Sequence, residues 1–226
     1  MKTKIFIVRH TETVGNIEKR LTGRKDYEVT ERGKELIKKL SDELSDIEFD
    51  EIYSSISGRA VKTVEQIAKK NNIEIKKSEE LCEMYFGEYD GWKWEDVNKI
   101  QPEIKQTQNE INEIIGIPNQ ESMEHVANRM YEFIMRIIKE NEGKTILISS
   151  HGVAIEAFLR KITNVKFRYK REEYCQYNVA INELEYEDGE FKIIQLANVK
   201  YLEKGEKVEN DGEHTRWVDF NNNTCI

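Results

Sequence analysis

The chain has 226 residues, of which 38% are apolar and 35% charged, with only 2 prolines and a formal net charge of -8. That length allows one domain with a sizeable core, and the composition is that of a soluble, helix-rich globular chain rather than a disordered one. The acidic balance, with no basic block, argues against general nucleic-acid binding, so any anion site must be local.

No segment approaches the roughly 18 apolar residues of a membrane span, and the apolar run after Met1-Lys2-Thr3-Lys4 is too short for a secretion signal. A cytoplasmic protein without membrane contact is therefore expected. Cys82, Cys175 and Cys225 are odd in number, widely spaced and form no C-x-x-C pair, which suggests reduced thiols rather than disulfides or a zinc knuckle.

Ile5-Phe6-Ile7-Val8 reads as a strand buried on both faces, and Arg9-His10 stands where it emerges. Residues 13–26 then read as a loop over that strand edge, with Gly15 and Gly23 as turn signals. Thr30 caps a predicted helix whose Leu36, Ile37, Leu40 and Leu44 form an apolar stripe. A second strand is expected over Phe49 to Ser55. Ser57-Gly58-Arg59 leads from it into a helix with Val61, Val64, Ile67 and Ala68 inward. An arginine at a helix start is unfavourable to the dipole, so Arg59 implies a nearby anion or a carboxylate partner.

Glu74 to Lys77 reads as a short edge strand. Residues 85–118 combine aromatics, glycines and two prolines around a polar helical piece at Glu103 to Ile115, which reads as an insertion covering the site. Asn119 or Ser122 caps a long amphipathic helix carrying Met123, Val126, Met130, Phe133, Ile134, Ile137 and Ile138 on one face. Ile146-Leu147-Ile148-Ser149-Ser150-His151-Gly152 repeats the first pattern: an apolar strand, a histidine, then a helix whose first amides face the strand edge. Tyr177 to Tyr186 and Phe191 to Val199 read as a closing hairpin, and 203–226 as a polar surface tail.

Strand ends in an open α/β sheet form its ligand-binding edge. Arg9, His10, Arg59 and His151 would meet there, two arginines and two histidines in an acidic protein. A tetrahedral phosphoryl group suits them, because guanidinium groups donate in parallel to its oxygens and a neutral imidazole can attack phosphorus. Singly, either histidine reads as structural, and a His10/His151 metal site lacks the usual close ligand spacing.

Val8-Arg9-His10-Thr11-Glu12-Thr13 with Asn16 resembles the R-H-G-E-T motif of the histidine phosphatase superfamily, which includes the cofactor-dependent phosphoglycerate mutases. Leu21-Thr22-Gly23 with Asp26, Ser54-Ser55 with Gly58-Arg59-Ala60 and Thr63, Glu83 with Phe86-Gly87 and Asp90-Gly91, and Ser150-His151-Gly152 resemble its later landmarks in order. The resemblance implies that His10 attacks phosphorus and becomes phosphohistidine. Arg9, Arg59 and His151 would hold the phosphoryl oxygens. Asn16, Thr22, Gly23 and Gly152 would line the pocket, and Glu83 would serve as general acid and base. It implies no metal and no other cofactor.

Thr11 stands where the motif has glycine, adding a side chain beside the nucleophile, and Val61 stands where some relatives carry a further arginine. Glu83-Met84-Tyr85-Phe86-Gly87 resembles the phosphatase rather than the mutase version of the acid segment, and a mutase's paired lid arginines are absent between Trp92 and Asn119. The expectation is a three-layer α/β/α sandwich with a central, mostly parallel sheet, catalytic over 1–202 with a lid insertion at 85–118. It would hydrolyse a small phosphomonoester, as a monomer or homodimer. Phosphoglycerate mutase and a non-catalytic phospholigand-binding protein are the alternatives.

Overall fold

The computed structural model describes residues 1–100, 116–166, 174–202, 207–209 and 215–217. Its main sheet has six strands, in the order β3-β2-β4-β1-β5-β6. These are β1 (Thr3–Arg9), β2 (Glu51–Ser55), β3 (Ile75–Ser78), β4 (Thr145–Ser150), β5 (Ile181–Glu187) and β6 (Glu190–Asn198). The first four run parallel, and β5 and β6 are antiparallel additions at one edge.

Alternation along the strands decides the layers, because successive side chains leave a strand on opposite faces. Ile5 and Ile7 of β1, Tyr53 of β2, and Ile146 and Ile148 of β4 join one buried cluster. Against it lie α5 (Met123–Glu140) and α6 (Gly152–Ile162). Phe6 and Val8, Ile52 and Leu147 enter a second cluster on the other face, with α2 (Glu31–Glu43) and α3 (Gly58–Asn71). Both faces of the parallel strands are thus covered by helices, the three-layer α/β arrangement expected from their continuous apolar runs. The remaining helices are short: α1 (Val14–Ile17) and α4 (Trp94–Ile100).

The caps follow the sequence signals. Thr30 Oγ1 accepts from the Gly33 amide, and Ser122 Oγ, not Asn119, accepts from the His125 amide. Asn119 instead takes the left-handed conformation that Asn tolerates in a turn. Gly33 lets the α2 N-terminus approach the Glu12 carbonyl so closely that any Cβ would collide with it.

Within the expected 85–118 insertion, a 3-10 turn over Gly87–Tyr89 precedes α4. The predicted helical piece at 103–115, like His214 and Cys225, lies outside the described residues. The closing hairpin forms, but its first strand begins at Ile181, because residues 174–180 are spent bracing β1, as described below. In the segment read as a tail, β7 (Lys207–Glu209) and β8 (Thr215–Trp217) pair antiparallel. The Asp211-Gly212 dipeptide between them is a hairpin signal that the polar composition obscured.

Candidate active site

Register brings the two histidines together. Arg9 of β1 stands opposite Ser150 of β4, so the next residues, His10 and His151, leave adjacent parallel strands side by side. The His10 amide donates to the Ser150 carbonyl at 2.9 Å, and the imidazole centroids lie 5.2 Å apart.

His10 Nδ1 lies 2.7 Å from the Thr11 carbonyl oxygen. A carbonyl only accepts, so Nδ1 carries the proton and the neutral ring keeps its lone pair on Nε2. Burial, then the charges of Arg59 and Arg9, hold the pKa of His10 well below the ordinary histidine value. The ring is therefore neutral at physiological pH, with a free lone pair on Nε2.

Arg59 is completely buried at the start of α3. Its guanidinium donates to the carbonyls of Thr22, Gly23 and Lys25 at 3.1, 2.9 and 2.8 Å. It also pairs with Asp26 at 3.1 Å, and Asp26 accepts from the Gly58 amide at the same helix terminus. Both readings of an arginine at a helix start thus meet: a carboxylate neutralises the terminus while the guanidinium faces inward. The Thr22-Gly23 segment contributes its carbonyls to holding Arg59, and the Gly23 amide donates to Asp90. Arg59 Nε and His151 Nδ1 are buried and make no hydrogen bond among the described residues, the condition of donors placed for a ligand.

His151 Nε2 lies 2.8 Å from Ser55 Oγ at the end of β2, and burial, then Arg59 and His10, lower its pKa well below the ordinary value. Both imidazoles are neutral, and the positive charge of the site comes from the arginines.

Glu83 is buried beside the start of α6. Its carboxylate accepts from the amides of Val153 and Ala154, each at 3.0 Å, and of Met84 at 2.8 Å. Two of the α6 amides expected to face a ligand are therefore taken by this side chain. Asn16 Oδ1 accepts from the amide and hydroxyl of Thr13, which closes the turn after His10. Gly152 is the first residue of α6.

The Thr11 side chain turns away from the histidines. Its hydroxyl donates to the Gly33 carbonyl at 2.7 Å and its amide to Thr63 Oγ1 at 2.9 Å, so it ties the loop after His10 to α2 and α3. His125 lies on the surface, paired with Glu121. Of the aromatics between residues 85 and 94, Phe86 is buried and Tyr89 and Trp94 pack on the core, while Tyr85 and Trp92 are exposed.

Several supporting residues escaped the sequence reading. Arg9 donates to the Gln176 carbonyl at 2.8 Å, Asn178 donates to the His10 carbonyl at 3.0 Å, and Asn182 donates to the Ile7 carbonyl at 3.1 Å. Together they form a buried polar brace around the end of β1. Gln176, Asn178 and Asn182 interrupt an otherwise apolar stretch at alternate positions, the one signal that marked them. Glu121 and Arg129 carried none, whereas Ser55 was marked by the Ser54-Ser55 landmark without its bond to His151. No group of three or more His, Cys, Asp and Glu side chains is gathered around one point among the described residues, nor is any helix there long and apolar enough to cross a membrane.

Phosphoserine phosphatase 1 of Hydrogenobacter thermophilus is 32% identical over 154 residues, 68% of this chain and 73% of that protein. Phosphoglycerate mutase-like protein 4 of Arabidopsis thaliana is 26% identical over 205 residues, 89% of this chain and 87% of its own. The structure of Bacillus stearothermophilus YhfR superposes with a TM-score of 0.84 at 26% identity, covering 89% of this chain and all of that one. A family model described as histidine phosphatase superfamily (branch 1) matches residues 5–199, a range that takes in the six-stranded sheet from Ile5 onward, its helices, His10 and His151, and the chain belongs to that superfamily.

Proposed function

We propose that this protein is a metal-independent phosphatase that hydrolyses a small phosphomonoester through a phosphohistidine on His10. The observation that carries the reading is the bond from His10 Nδ1 to the Thr11 carbonyl, which leaves Nε2 as a neutral nucleophile within the field of two buried arginines, Arg9 and Arg59. In the first step the Nε2–P bond forms as the ester P–O bond breaks, and the departing oxygen takes a proton from Glu83. In the second, a water oxygen bonds to phosphorus, the N–P bond breaks, and the water's proton passes to Glu83. Arg9, Arg59 and His151 Nδ1–H hold the equatorial oxygens, supplying charge stabilisation that a divalent ion supplies in other phosphoryl-transfer sites. Asn16, Thr22, Gly23 and Gly152 shape the pocket around them.

Hydrolysis is favoured over mutase chemistry by the acid segment Glu83 to Gly87 and by the resemblance to a phosphoserine phosphatase. The test is phosphate release in the presence of a chelator from sugar phosphates, nucleotides, phosphoglycerates and phosphoamino acids, together with trapping of an acid-labile phosphoenzyme. Chelator-resistant release and loss of the phosphoenzyme in His10→Ala are expected. Unchanged labelling in that variant removes His10 as nucleophile. Isomerised phosphoglycerate without release identifies a mutase, and neither activity a binding protein.

A further inference from the structure

Glu83 is gripped from two sides. From one, α6 donates two amides to its carboxylate. From the other, Arg129 of α5 holds the backbone of the segment that carries it. Arg129 donates to the Glu80 carbonyl at 2.7 Å and to the Glu83 carbonyl itself at 3.2 Å. The same guanidinium is paired with Glu121 through two bonds, Nε to Oε1 at 2.7 Å and the terminal nitrogen to Oε2 at 3.1 Å. Glu121 Oε2 in turn accepts from the Tyr85 amide at 3.1 Å. Three backbone groups between residues 80 and 85 are thereby fixed by one ion pair, whose side chains are about nine-tenths buried (11% and 8% exposed).

Residues 80–85 have little regular structure of their own. Glu80 sits in a single 3-10 turn (Glu79–Leu81), and Glu83 lies beyond it in no helix or strand. A bidentate Arg–carboxylate pair is among the most directional contacts available to a protein, which makes it suited to holding such a segment. An acid that protonates a leaving oxygen must meet it within hydrogen-bond reach, and an error near 1 Å costs on the order of 100-fold.

We propose that Arg129, clamped by Glu121, is a positioning residue for Glu83: it sets where the general acid meets the leaving group without itself touching substrate. The inference rests on the reading of Glu83 as the acid. Its signature is selective. Misplacing the acid slows esters of poorly leaving alcohols, which need the proton. It spares p-nitrophenyl phosphate, whose phenolate leaves without one. An arginine that merely stabilised phosphoryl charge, or merely held the fold together, would affect both alike.

The experiment measures kcat/KM, which reports the step that breaks the ester bond, for an alkyl phosphate such as phosphoserine and for p-nitrophenyl phosphate. Arg129→Met, Arg129→Lys, Glu121→Gln and Glu83→Gln are compared with the native chain. Arg129→Met is expected to lose about tenfold or more on the alkyl ester and less than about threefold on the aryl ester, a fraction of what a general acid supplies. Arg129→Lys, which keeps the charge and loses the fork, is expected to fall nearly as far. Glu121→Gln is expected to show the same bias at smaller size, and carries the test if the Arg129 variants fold poorly. Equal losses on both esters, or none, overturn the proposal. Glu83→Gln separates the two readings: without a leaving-group bias there, Glu83 is not the acid. A bias in Glu83→Gln alone leaves Glu83 in place and removes Arg129.

Discussion

Replacing Ser55 by alanine tests how His151 is set for its task. The Ser55 hydroxyl is fully buried at the end of β2, accepts from the Ser57 amide at 3.2 Å, and stands 2.8 Å from His151 Nε2. Because His151 is neutral, its two nitrogens have opposite roles: if Nδ1–H is to donate to a phosphoryl oxygen, Nε2 must accept, and the Ser55 O–H donates to it. In Ser55→Ala, Nε2 has lost that donor, and the ring is free to carry its proton on the wrong nitrogen. A hydrogen bond to a charged partner is worth about 1.5–3 kcal/mol. Losing it in the transition state corresponds to roughly a 10- to 100-fold fall in kcat/KM, at about 1.4 kcal/mol per tenfold. Folding stability should fall by about 1–3 kcal/mol for the buried nitrogen left unpaired, read from urea unfolding. The assay is kcat/KM on one alkyl and one aryl phosphate, and both should drop by the same factor, because binding of the phosphoryl group is common to them. A fall below about threefold, or one confined to the alkyl ester, would refute the assignment of the His151 tautomer to Ser55.

Stability should depend on pH with a sign fixed by the two histidines. Both have folded pKa values pushed below the unfolded value of about 6.5, so the unfolded chain binds more protons and stability falls as pH drops below about 6.5. Each contributes a slope of up to about 1.4 kcal/mol per pH unit between that point and its folded pKa, and His10→Ala should flatten the urea-midpoint profile there. Thr11→Gly removes the hydroxyl bond to Gly33 and frees the unfolded chain; a loss of about 1–2 kcal/mol with kcat/KM within about threefold is expected. A large activity change would mean the hydroxyl serves the reaction. Asp26→Ala strips Arg59 of its carboxylate and α3 of a terminal acceptor; about 2–3 kcal/mol of stability should be lost, with a rise in KM. A change under about 0.5 kcal/mol would show that the three carbonyls hold Arg59 unaided.

The sheet was legible because burial on both faces is written locally. Ile5 to Val8 and Ile146 to Ile148 are continuous apolar runs, and their alternate residues enter the two cores on opposite sides of the sheet. Helix starts at Thr30 and Ser122 were legible for the same reason, since a cap bonds within three residues of itself. The hairpin start was misplaced because residues 174–180 are buried like a strand and yet meet the end of β1 through the Asn178 side chain and two backbone bonds of Val179 and Ala180 to Arg9, outside any strand.

Residue types and order by themselves determined the two faces of the strands, the placement of Arg9, His10, Arg59 and His151 after strand or helix-start signals, and, through the family motifs that also singled out Glu83, the superfamily. Only the tertiary structure decided what those side chains bond to. The Ser55–His151 contact spans 96 residues and the Arg9–Gln176 contact 167. A hydrogen-bond partner at such separation is chosen by strand order and register, which bring any of many serines or carbonyls to the same edge. Composition and periodicity record how deeply a residue is buried, whereas the tautomer of a histidine or the grip on a carboxylate depends on which single atom stands about 3 Å away.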